Sequence, residues 1–82
     1  MYITYILYSE KLRKYYTGQT EDLEKRLEEH NRGKTSFMAS GLPWHLMYTA
    51  SFENRSEAIK HEKYIKKRGA HRYLEDKSKS EG

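Results

Sequence analysis

Cysteine is absent from the 82 residues. That excludes a disulfide frame, a thiolate metal site and a cysteine nucleophile. No run of about 18 apolar residues occurs, so nothing reads as a membrane span and no membrane partner is expected. The opening Met1-Tyr2-Ile3-Thr4 has no basic region ahead of an apolar stretch, so no secretory signal is expected. Together these absences predict a cytoplasmic protein. The length leaves no room for a second core and predicts one domain, marginal in the apolar area it can bury. What is present is polar and basic. Sixteen Lys and Arg face twelve Asp and Glu, a net charge of +4, while apolar residues make up only 35%. A positive balance tilts toward polyanions, of which nucleic acid is the commonest. Eight tyrosines mean that much of any core or site wall carries a phenol.

Tyr2 to Tyr8 is rich in β-branched and aromatic residues and reads as a strand. Ile3, Tyr5 and Leu7 share one face of it, and Tyr2, Thr4, Ile6 and Tyr8 the other. Ser9 to Arg13 is a turn, and Lys14 to Gly18 a second strand. A hairpin turning near Glu10-Lys11 would set Tyr5 beside Tyr16. Thr20 reads as a helix N-cap, with Glu21 and Asp22 in the first turn. The helix runs to about Asn31, and Gly33 can end it. Arg32 to Pro43 is a loop. Trp44 to Phe52 is a third strand, with Trp44, Leu46, Tyr48, Ala50 and Phe52 on one face by strict alternation. Asn54 and Glu57 resemble a capping box for a second helix that stops at Gly69. A short last turn or helix fits Ala70 to Asp76. The tail 77–82 has no apolar residue and is expected to be disordered, leaving a domain over 1–76. The order ββαβα predicts an α+β fold on a three-stranded antiparallel sheet flanked by helices.

The inner faces of the two long helices carry unexpected groups. In the first, Leu23 and Leu27 define the buried stripe, and Arg26 and His30 fall on the same side, one turn apart. The bland alternative is a snorkelling arginine and a satisfied core histidine. In the second, Ala58 and Ile65 centre the buried face, with Glu62 between them. A carboxylate there needs a cation or a metal to offset its desolvation, and an internal ion pair, for example with Arg26, would serve as well. Lys60, Lys63, Lys67 and Arg68 face away and form a basic outer face that could hold phosphates. Tyr5, Tyr16, Arg26, His30 and Glu62 together supply an anion clamp, proton-transfer groups and a hard oxygen ligand. That set suits phosphoryl chemistry. Paired carboxylates for a glycosidase and a Gly-rich phosphate loop are both missing.

In this order and spacing the residues resemble the GIY-YIG nuclease superfamily, in particular its small stand-alone UPF0213, or URI-type, group. The first motif stands as Ile3-Thr4-Tyr5 and the second as Tyr16-Thr17-Gly18. The helix through Arg26 and His30, the strand Pro43 to Tyr48 and the helix Ser56 to Lys66 follow, so the likeness covers roughly residues 2 to 68. Ile3 and Thr4 stand where the motif has Gly and Ile. Gln19 stands where some DNA-repair members carry a lysine. Thr35 to Leu42 has no basic residue, where relatives are often more basic.

The resemblance implies a metal-dependent endonuclease that hydrolyses phosphodiester bonds in DNA. It makes Tyr5 and Tyr16 the motif tyrosines and Arg26 the catalytic arginine. His30 is the residue one turn later, and Glu62 the ligand of one Mg²⁺ or Mn²⁺. The tyrosine that would act as base is left open between Tyr5 and Tyr16. The alternative is a nucleic-acid-binding module that keeps the fold without cutting. No obligate protein partner is inferred.

Overall fold

The computed structural model describes residues 1–81. The elements are β1 (Tyr2–Ser9), β2 (Lys14–Thr20), α1 (Leu23–Asn31), α2 (Ser36–Ser40), β3 (Trp44–Phe52), α3 (Arg55–Arg68) and α4 (Ala70–Glu81). The sheet is antiparallel in the order β2-β1-β3, so β1 is central and β2 and β3 are edges. This is the expected three-stranded α+β architecture with helices on both faces.

Alternation along β1 builds two cores. Tyr5 and Leu7 point to one face, where Met38 and Trp44 close a cluster backed by Leu12, Tyr16, Leu23 and Leu27. Ile6 points to the other, against Ile65 of α3 and Tyr73 of α4. Thr4, fully buried on that second face, donates from Oγ1 to the Ala58 carbonyl at 2.8 Å and so fixes α3 against the sheet. Leaving that hydroxyl unpaired would be costly.

Several local expectations shift. The hairpin loop is longer than a turn at Glu10-Lys11, because Ser9 Oγ accepts from the Leu12 amide and Arg13 takes a left-handed φ of 55°. Tyr5 therefore pairs with Gly18, and Leu7 with Tyr16. The slip is two residues, an even number, so Tyr5 and Tyr16 stay on one face. In β3 a bulge falls where Ile6 pairs with Tyr48 and Leu7 with Leu46. The extra residue reverses the facing, so Trp44 joins the Tyr5 side and Tyr48 the Ile6 side, against strict alternation.

Thr20 is still in β2, paired with Ile3, and the N-cap of α1 is Asp22, whose side chain accepts from the Lys25 amide at 3.1 Å. Asn54 caps α3 as the sequence suggests, accepting from the Glu57 amide at 3.0 Å. The 32–43 stretch is not all loop. Thr35 caps the five-residue α2, which buries Met38. The tail expected to be disordered is helical through Glu81, since α4 runs on from Tyr73, and Lys77 lies 5.4 Å from the Tyr48 ring centre. Gly82 lies outside the described residues.

Candidate active site

Three rings meet where β1, β2 and α1 face one another. Tyr5 is 1% exposed, and its hydroxyl lies 2.9 Å from His30 Nε2. Tyr16 completes the triangle, its ring centre 6.4 Å from that of Tyr5 and 4.9 Å from that of His30. Gly18 makes the arrangement possible. A Cβ there would stand 2.7 Å from Tyr5 Oη and 2.9 Å from Cζ, so any side chain would displace the phenol. The glycine of the second motif is thus required by close approach, not by backbone conformation.

Arg26 and His30 come to this corner because they share one face of α1 at helical spacing. Tyr16, Arg26, Glu29, His30, Lys34 and Phe37 border a concavity of about 350 Å³, Glu29 being its one carboxylate. Arg26 also borders a second one of about 260 Å³, with Lys25 and Arg55 but also the carboxylates Glu21, Asp22 and Glu29, and with Gln19. Among the described residues Arg26 forms no ion pair. Its guanidinium is therefore free for an anion.

The electrostatics of the buried pair are coupled. Burial pushes the Tyr5 phenol well above the ordinary phenol range; Tyr16, Glu62 and Glu29 add to the rise and Arg26 opposes it. Burial and the Arg26 charge lower the His30 pKa, with Glu29 acting the other way. A neutral imidazole can accept from the Tyr5 hydroxyl or donate to it through Nε2, according to its tautomer.

Glu62 comes from α3, the helix on the far face of the sheet, and borders neither of these two concavities; its charge is a lesser cause of the raised Tyr5 pKa. Its carboxylate is held by Lys66 Nζ at 2.6 Å, an i,i+4 pair, and its side chain is 19% exposed. The internal pair with Arg26 is not formed. Among the described residues no three His, Cys, Asp or Glu side chains converge on one point, so Glu62 offers a single carboxylate. That donor set fits Mg²⁺, which is commonly bound through one or two carboxylates, water and substrate phosphate.

The outer-face candidates are a separate group. Lys60, Lys63, Lys67 and Arg68 are all exposed on α3. Arg68 is already engaged, donating to both Asp76 carboxylate oxygens at 2.9 and 3.1 Å. Two features of the corner were not legible as site residues. Gln19 Oε1 is buried without a hydrogen-bond partner beside Arg26, and the alternation of a short edge strand says nothing of such a vacancy. Arg55 reaches Glu21 at 2.9 Å from 34 residues away, a pairing with no local signal.

The family pattern described as the GIY-YIG catalytic domain matches residues 1–74. The chain belongs to the GIY-YIG family. Members of this family are nucleases, and the GIY-YIG domain implies interaction with nucleic acid. A UPF0213 protein of Bacillus licheniformis is 39% identical over 66 residues, covering 76% of this chain and 68% of that protein. A UPF0213 protein of Staphylococcus aureus strain Mu3 is 42% identical over 52 residues. That match covers 62% of this chain and 63% of the staphylococcal protein. No solved structure matches the chain. Among the described residues no helix is long and apolar enough to cross a membrane.

Proposed function

We propose that this GIY-YIG domain is a Mg²⁺- or Mn²⁺-dependent endonuclease that hydrolyses phosphodiester bonds in DNA, at the corner formed by Tyr5, Tyr16, Arg26 and His30, with Glu62 of α3 acting on it from across the sheet. One observation carries the reading. An unpaired arginine and a neutral, tyrosine-bound histidine border the same open concavity. Arg26 clamps the scissile phosphate and meets the charge that grows on it. Glu62 would hold the metal ion together with a phosphate oxygen, and the chemistry that ion supplies is stabilisation of charge on the leaving oxygen.

Burial divides the work of the two tyrosines. Tyr5 is closed off from solvent and resists ionisation, so its hydroxyl serves to hold His30. Tyr16 borders the concavity and is the phenol that meets an attacking water. His30 stands beside it, and in the tautomer whose Nε2–H donates to the Tyr5 oxygen its Nδ1 is free to take up a proton. The outer lysines of α3 add sequence-independent attraction to the phosphate backbone.

The test is incubation with single-stranded, duplex and branched DNA, with Mg²⁺ or Mn²⁺ against chelator. Cleavage that chelator abolishes is the expected result. No cleavage of any substrate with either metal overturns it. A second reading, a nucleic-acid-binding module without cutting, is favoured by the Lys66 ammonium on Glu62 Oε2, one of the two oxygens a metal could use. Under that reading the same experiment gives salt-dependent binding and intact DNA.

A further inference from the structure

α3 has two working flanks. One carries Glu62, whose charge acts on Tyr5. The opposite flank carries His61 and Tyr64, and it is built of rings. His61 Nε2 lies 3.0 Å from Tyr48 Oη of β3 and 3.1 Å from Tyr73 Oη of α4, and the two phenols are 2.8 Å apart. This triangle of polar atoms holds the imidazole in place. Phe52 packs on His61 with ring centres 5.3 Å apart, and Tyr64 meets Tyr73 edge-on at 6.0 Å.

The outermost ring of this stack is open. Tyr64 is 57% exposed, and its plane lies within 13° of the His61 plane. Phe52, Lys60, His61 and Tyr64 border a concavity of about 450 Å³, with Glu57 as its one carboxylate. On the helix surface Lys60 stands four residues before Tyr64 and Lys67 three after, so both neighbour it, one turn to each side. Among the described residues neither they nor Lys63 form an ion pair. A flat ring fixed from behind, with unpaired cations on either side, complements a planar group carried on a polyanion. Single-stranded nucleic acid has that chemistry; a duplex keeps its base faces stacked inside.

We propose that the Phe52–His61–Tyr64 surface is a second nucleic-acid contact, separate from the Tyr5 corner, where one unpaired base stacks on Tyr64 while Lys60 and Lys67 hold the adjoining phosphates. The proposal rests on the reading that the chain binds nucleic acid, and not on its cutting.

Binding is measured without divalent metal, at low salt, to oligo(dT), oligo(U) and an abasic oligomer of equal length. Tyr64→Leu keeps an apolar side chain against Tyr73 but has no π face, and should weaken oligo(dT) or oligo(U) about 5- to 100-fold. Tyr64→Phe should bind as wild type, and the abasic oligomer should be indifferent to both changes. The arm that shows the weakening names the sugar. On the unaltered protein, the Tyr64 ring resonances should shift with a base-bearing oligomer and not with the abasic one. Equal weakening on abasic and base-bearing oligomers, an unmoved Tyr64 ring, or no binding by wild type each overturn the proposal. Absence of cleavage in the metal assay leaves this result standing, so the two readings fail separately.

Discussion

Gly18 stands directly opposite Tyr5 in the β1–β2 ladder, and a methyl group at that position would lie 2.7 Å from the Tyr5 hydroxyl. The phenol leans over the glycine to reach His30, so the second motif supplies space for the first. Gly18→Ala should push the Tyr5 ring aside and break its bond to His30. The expected cost is about 1–3 kcal/mol, the usual range for overpacking, read as a lower melting temperature. Tyr5→Phe removes the nearest atom but leaves Cζ at 2.9 Å, so the double variant should recover only part of the stability. A Gly18→Ala protein melting like wild type would contradict this packing.

Glu62→Gln separates a metal ligand from a structural ion pair. The ion pair it removes is with the exposed Lys66, an i,i+4 pair worth about 0.5 kcal/mol at most. Melting should barely move, while metal-dependent cleavage disappears and DNA binding stays equal or tightens. Arg26→Ala should lower cleavage roughly 100-fold or more and binding less, because charge on the phosphate grows in the transition state. Normal cutting by Glu62→Gln would remove the metal assignment.

His30 predicts an acid limb. Its folded-state pKa is lowered, first by burial and then by Arg26. Between that pKa and the unfolded value near 6.5 the unfolded chain holds more protons. Stability should therefore be intact above about pH 6.5 and fall as pH drops below it. His61, also lowered by burial and by Lys77, adds to the same trend. Melting curves from pH 7.5 to 5 should show the decline, and His30→Gln should flatten part of it. Cleavage by wild type should fall at lower pH, around the lowered folded-state pKa, as the imidazole loses its capacity to take a proton.

The basic outer face should act through charge alone. Reversing Lys60, Lys63 and Lys67 should weaken DNA binding without changing sequence preference. The salt slope on single strands should shrink by about 0.7 for each phosphate that the protein no longer neutralises. Arg68→Ala is the contrast. Its guanidinium is committed to Asp76, so affinity should hold while the α3–α4 junction loosens, seen as faster amide exchange in α4.

Local chemistry alone specified a good deal. The alternation of Tyr2 to Tyr8 put Tyr5 on one face and Ile6 on the other. Asn54 and Gly69 bounded α3, and the helical spacing of Arg26 and His30 aimed both at the sheet. These features depend on a residue and its near neighbours, so they can be read before folding. What the tertiary structure decided involves partners far apart in the chain. The β1–β2 register depends on how Ser9 and Arg13 lengthen the loop, and the facing of β3 on one bulged residue beside β1. The helical tail depends on α4 having Ile6, Ile65 and Tyr48 to rest on. Burial of Tyr5 but not Tyr16 and the ring stack behind Tyr64 follow from the same cause. Each is settled by which surfaces lose water together, and no single segment carries that information.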